Sequence, residues 1–189
     1  MSSHHIVREK QEPALLALGL HTFDPELLGQ LLEWSPTVIC TPATAEQINA
    51  YGIKIDIVIA DEAEPGMQSD VKLIPTGNGD IIKAALDYLI ASGYGAVNII
   101  TDDFVLDDFE AYADKINLVI FCGERKIFPV TSGFKKWKPA GEMVELFSPS
   151  IGLKTEGLTP VGDGGYQTTD DGFYSLQFEE AFLFVAERV

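Results

Sequence analysis

Tyr51-Gly52-Ile53-Lys54-Ile55-Asp56-Ile57-Val58-Ile59-Ala60-Asp61 is the stretch that decides the fold class. Isoleucines at 53, 55, 57 and 59 alternate with Lys54, Asp56 and Val58, the period-two pattern of a strand. Gly52 stands before it as a natural end for a helix, and acidic residues follow it at Asp61, Glu62 and Glu64. The parts run helix end, strand, acidic loop. Apolar runs alternate with helical patterns on both sides of it.

Upstream, Ala14-Leu15-Leu16-Ala17-Leu18 reads as a buried strand ended by Gly19. Asp24 and Pro25 then supply an N-cap and a first helical residue, predicting a helix over 25–34. Thr37-Val38-Ile39-Cys40 is a second short strand. The next helix begins either at Thr41 with Pro42 inside, or at Thr44 with Gln47 completing a capping box. Downstream, Val71-Lys72-Leu73-Ile74 is strand-like and breaks at Pro75-Thr76-Gly77-Asn78-Gly79. A helix over 80–92 follows, closed by Gly93, and Val97-Asn98-Ile99-Ile100 and Leu118-Val119-Ile120-Phe121 are further strands. Strand–helix alternation of this kind predicts a parallel sheet with helices on both faces, a Rossmann-like α/β domain over 1–122.

After Cys122 the helical period disappears. Short alternating runs at 126–130, 143–147, 153–158, 174–178 and 182–186 are separated by Gly- and Pro-containing turns. That predicts a second domain over 123–189, a small β-sandwich.

Charge narrows the partners. The chain of 189 residues carries 13 basic and 29 acidic side chains, a formal net charge of −16. Such a surface repels phosphate backbones and anionic lipid alike, so neither nucleic acid nor membrane is an expected partner. The one dense basic run, Lys135-Lys136-Trp137-Lys138, reads as a polar rim after a Ser-Gly turn. The longest apolar run, over 14–20, is far too short to span a bilayer, and the first eleven residues lack the apolar core of a signal peptide. Cys40 and Cys122 sit in apolar strand contexts and read as buried free thiols rather than as the alternative, a disulfide, which points to a reducing, cytoplasmic setting.

Open α/β sheets bind ligands at the carboxyl ends of their strands. Asp61, Glu62 and Glu64 follow one strand, Asp80 opens the helix after the Gly-Asn-Gly turn, and Asp102 and Asp103 follow another. Carboxylates converging there suit a hard cation such as Mg²⁺, and a glycine-rich turn before a helix offers N–H groups to phosphate. The plain alternative is that Asp80 caps its helix and the rest are solvated loop residues of an acidic chain. All three histidines, His4, His5 and His21, lie near the N-terminus, which speaks against a His-based triad or zinc site. There is no Gly-x-Ser-x-Gly elbow, Walker A sequence or Cys-x-x-Cys.

The order of these features resembles the thiamin pyrophosphokinases, over nearly the whole chain. The strand and loop over 13–19 look like the first of that family. The 51–61 stretch is similar to its G-x-x-P-D-x-x-x-G-D-x-D-S segment, and the helix through Ala84-Ala85-Leu86-Asp87-Tyr88-Leu89 to the one after its K-D-x-T-D. Ile151-Gly152-Leu153-Lys154-Thr155-Glu156-Gly157-Leu158 is close to its G-L-K strand. The resemblance implies a nucleotide-binding domain, a thiamin-binding β-sandwich, a homodimer, Mg²⁺ and ATP as cofactors, and Asp61, Asp80 and Glu64 (or Asp102 in its place) as carboxylates for the metal and nucleotide.

Departures fall where that chemistry sits. G-D-x-D-S is Ala60-Asp61-Glu62-Ala63-Glu64 here, and K-D-x-T-D is Thr76-Gly77-Asn78-Gly79-Asp80. The family's D-G-G/A is Thr41-Pro42-Ala43, G-x-R-x-D-H has no counterpart over 101–108, and the late S-N is not recognisable near 172–176. Loss of a Lys, an Arg and a metal carboxylate removes groups that neutralise the transferring phosphates in the transition state. The expectation is therefore a catalytically weak or inactive homologue that keeps a thiamin or nucleotide binding role. The competing expectations are an active ATP-dependent thiamin diphosphotransferase using substitute carboxylates, and a structural subunit.

Overall fold

A computed structural model describes residues 12–62, 68–77, 79–147, 150–162 and 164–189. The chain divides into two compact units, Met1–Leu118 and Val119–Val189. The first is α/β and the second antiparallel β.

The first unit begins with β1 (Ala14–Ala17), whose four residues are all buried, then α1 (Pro25–Leu32). Asp24 caps α1 as its sequence suggests, its carboxylate accepting from the Glu26 amide at 2.7 Å, with Pro25 in the first turn. After β2 (Val38–Cys40) comes α2 (Pro42–Ala50). Of the two possible starts the first is adopted: Thr41 is the N-cap, and it shares a reciprocal capping box with Thr44 rather than with Gln47. Thr44 also donates its hydroxyl to the Ala17 carbonyl at 2.8 Å, which fastens the start of α2 to the end of β1.

β3 (Ile57–Ile59) is shorter than the isoleucine alternation predicts. Residues 53–55 are irregular, and a side chain rather than a neighbouring strand takes up the Ile55 amide and the Ile53 carbonyl. Gln68 accepts from the Ile55 amide at 2.9 Å and donates to the Ile53 carbonyl at 2.9 Å. Burial alone keeps the apolar period there, since Ile53 and Ile55 pack into the core without belonging to a strand. β4 (Lys72–Ile74), α3 (Ile81–Ala91), β5 (Ala96–Thr101) and a single-turn α4 (Asp107–Glu110) complete the unit.

The strands pair in parallel in the order β5-β1-β2-β3-β4. The chain thus leaves β1 toward β2, β3 and β4 on one side and returns to β5 on the other. This reversal beside β1 is a topological switch point, the place where open α/β sheets form a crevice.

Of the second unit, β6 (Asn117–Cys122) straddles the boundary, and β7 (Arg125–Val130) follows. Next come β8 (Phe134–Lys138), β9 (Met143–Leu146), β10 (Lys154–Glu156) and β11 (Leu158–Pro160). The chain closes with β12 (Gly165–Thr168), β13 (Gly172–Gln177) and β14 (Leu183–Arg188). Antiparallel pairs link β11-β12-β9-β14-β7-β6, and a separate three-stranded sheet runs β10-β13-β8. Val130, Val144, Tyr174, Leu176, Leu183 and Val185 form its buried core.

Two sequence expectations change here. The run over 153–158 is two strands in different sheets, because Gly157 between them takes φ 70° and a side chain there would meet the Phe173 carbonyl at 2.9 Å. The basic run at 135–138 is not a rim but strand β8. Lys136 and Lys138 both pair with Glu187, itself only 3% exposed, while Lys135 and Trp137 stay exposed. Cys40 and Cys122 are buried free thiols. Among the described residues no helix is long and apolar enough to cross a membrane.

Candidate functional site

The switch point holds a cleft of about 460 Å³ in the first unit. Leu18 just after β1, Thr101 ending β5, and the N-terminal turns of α2 and α3 line it. Asp80, Asp103 and Asp108 bring carboxylates to it, and Leu18, Ile81, Ile82 and Val105 supply apolar wall. No lysine or arginine lines it among the described residues.

Asp80 caps α3, one carboxylate oxygen accepting from the Lys83 amide at 2.8 Å. It is therefore both a structural cap and a cleft carboxylate. Asp61 is exposed beyond β3 and is not part of the lining. Thr76 donates to both of its oxygens, the amide at 2.8 Å and the hydroxyl at 2.6 Å, and these bonds hold its carboxyl below the usual value. Glu64, expected beside Asp61, lies outside the described residues. Asp102 is engaged by His21: the His21 amide reaches one oxygen at 3.0 Å and Nδ1 the other at 2.6 Å.

These contacts bear on a metal. A cation bridging phosphates needs carboxylate oxygens aimed into the cleft. Asp61 and Asp102 have both oxygens occupied by protein donors, leaving Asp80 as the expected ligand that lines the cleft. Among the described residues no group of three or more His, Cys, Asp or Glu side chains gathers as a metal site. Among the described residues the set fits Mg²⁺ poorly.

Sequence reasoning set His21 aside because all the histidines lie near the N-terminus. The usable signal was positional. His21 follows β1 and Asp102 follows β5, the two strands flanking the switch point.

A parallel sheet with a cleft at its switch point, followed by an antiparallel β unit, defines a two-unit α/β-then-β architecture. Among solved structures the chain is similar to a thiamin pyrophosphokinase from Geobacillus thermodenitrificans, with a TM-score of 0.71, 12% identity, and 93% of this chain and 96% of that chain covered. A thiamine pyrophosphokinase from Bacillus subtilis gives 0.68 at 12% identity over 93% and 99%, and yeast thiamin pyrophosphokinase 0.63 at 10% over 96% and 88%. Neither a protein-family model nor a curated protein sequence matches the chain. The chain has the thiamin pyrophosphokinase fold.

Proposed function

We propose that the protein is a small-molecule-binding member of this fold in which diphosphate transfer is weak or absent. One observation carries the reading: the switch-point cleft is lined by three carboxylates and by no lysine or arginine among the described residues. Transfer of a diphosphoryl group spreads negative charge over phosphate oxygens, and catalysis comes mainly from cations placed to meet it. A cleft of opposite character opposes that charge. Fold and site chemistry are separable, so the scaffold persists while the reaction does not.

In this reading the α/β unit is Rossmann-like with helices on both faces, and the C-terminal unit is a β-sandwich. The protein works in the cytoplasm as a homodimer, for which exposed Trp137 and Phe173, cross-strand partners on β8 and β13, supply apolar surface. Its ligand is thiamin or a nucleotide. Asp80 is the carboxylate best placed to meet a ligand or a cation, and Asp61 contributes only if Thr76 releases it. Calorimetric titration, first with thiamin and then with Mg-ATP, tests the reading. Saturable binding of one of them supports it, and heat from neither would refute a retained binding role.

A further inference from the structure

A second pocket, of about 390 Å³, opens at the other end of the parallel sheet, where β2 begins and the chain approaches β3. Its size suits a small molecule, whose sites run from roughly 300 to 1,000 Å³. Leu32, Pro36, Val38 and Ile53 give it an apolar wall, and Ser35, Lys54 and Asp56 a polar rim. Leu32 and Ile53 pack against the core and still open onto the pocket. Asp56 ties the two sides together: its amide donates to the Val38 carbonyl at 3.0 Å, and its carboxylate accepts from the Val38 amide at 3.0 Å. The other carboxylate oxygen accepts from Lys54 Nζ at 2.7 Å.

The plain explanation is a gap between a helix end and two strand starts, with Lys54 and Asp56 as a solvated ion pair. Two observations go beyond it. Among the described residues of the first unit the exposed large apolar side chains are Trp34, Tyr51 and Val105. The first two adjoin this pocket in the chain, Trp34 beside Ser35 and Tyr51 two residues before Ile53. Tryptophan and tyrosine are the side chains that most often anchor a bound apolar group. The second observation is the hydrogen-bond balance. Each Asp56 oxygen already holds a donor, while Lys54 has two N–H bonds beyond the one it gives Asp56. The Ser35 hydroxyl has no partner among the described residues. The rim therefore offers donors. Charge selects further: Lys54 opposes a cation, whereas Asp56 and a chain of net charge −16 oppose an anion.

We propose that this pocket is a second ligand site, taking an uncharged aromatic molecule that carries a carbonyl acceptor, such as an aromatic amide. Its ring lies against the apolar wall, with Trp34 and Tyr51 to flank it, and its carbonyl accepts from Lys54 and Ser35. Strand starts and strand ends lie at opposite edges of a parallel sheet, so the site is separate from the switch-point cleft. It goes beyond the function proposed for that cleft.

The test uses the full ¹⁵N-labelled chain and three probes of one shape, benzamide, benzoate and benzamidinium, which differ chiefly in charge. Benzamide should shift the amides of Ser35, Val38, Ile53 and Lys54 and leave those of Asp80 and Asp103 in place. The two ions should bind about fivefold more weakly or worse, the worth of one hydrogen bond. Lys54→Met keeps the apolar stem, removes the donors and uncovers Asp56. It should lower benzamide affinity about fivefold and raise that of benzamidinium. Ser35 has φ 51°, a conformation that suits glycine, so Ser35→Gly should unfold no more readily than the wild type while binding benzamide more weakly. Shifts at the cleft alone, no shift with benzamide at millimolar concentration, equal binding of all three probes, or unchanged affinities in Lys54→Met would each overturn the proposal. None of these readouts measures turnover or thiamin binding, so a failure here is distinct from a failure of the weak-transfer reading.

Discussion

Tyr174 donates its hydroxyl to Glu187 at 2.8 Å inside the C-terminal unit, joining the three-stranded sheet to β14 of the larger one. Burial first, and the Glu187 carboxylate second, push the Tyr174 phenol far above its usual value. Lys136 and Lys138 complete the set around Glu187. Lys138 is only 12% exposed, so Glu187→Ala takes the buried carboxylate from a largely buried cation and leaves it the half-exposed Glu142 at 3.6 Å. That should cost about 3–5 kcal/mol in urea unfolding, against about 1 kcal/mol for Tyr174→Phe. A Glu187→Ala loss below that of Tyr174→Phe would show that the network is not a coupled unit.

Thr76 fixes Asp61 through two hydrogen bonds. Thr76→Val removes the hydroxyl bond, the larger cause of the lowered Asp61 value, and retains the amide bond. The Asp61 carboxyl should then titrate higher, back toward its ordinary 3.8, when followed by NMR. A depressed folded-state value gives stability above the unfolded value that is lost as pH falls, so the variant should also lose part of the acid-side slope. An unmoved Asp61 titration would mean that Thr76 is not its partner in solution.

Cys40 makes the alkaline prediction. Burial raises its thiol from an ordinary 9.0 to about 12, with the Thr44 hydroxyl opposing. The unfolded chain therefore gives up this proton first. Stability from Cys40 is complete below pH 9 and is lost as pH rises from about 9 toward 12. Tyr174, also raised, acts with the same sign. Urea midpoints measured across this range should fall less steeply in Cys40→Ala than in the wild type. Equal slopes would contradict a buried, protonated thiol.

Much of the fold is written in local chemistry. Asp24-Pro25 and Thr41-Pro42 mark helix starts that the structure adopts, since caps depend on neighbouring residues alone. What the sequence hid depends on distant partners. Ile53 and Ile55 alternate like a strand, yet Gln68 takes up their backbone. Lys136 and Lys138 look like surface residues until Glu187, some fifty positions later, is placed against them. Asp80 was readable as a cleft carboxylate because a helix start at a strand's carboxyl end implies it. His21 was not, because its partner Asp102 is brought beside it only by the β1–β5 pairing.

On the proposed function, the chain keeps the thiamin pyrophosphokinase fold while no cationic side chain lines its cleft among the described residues. Incubating the purified protein at high concentration with thiamin and Mg-ATP, and measuring thiamin diphosphate by chromatography, tests it most directly. Little or no product is expected, whereas turnover on the order of one per second or faster that is abolished in Asp80→Ala without loss of folding would overturn the weak-transfer reading.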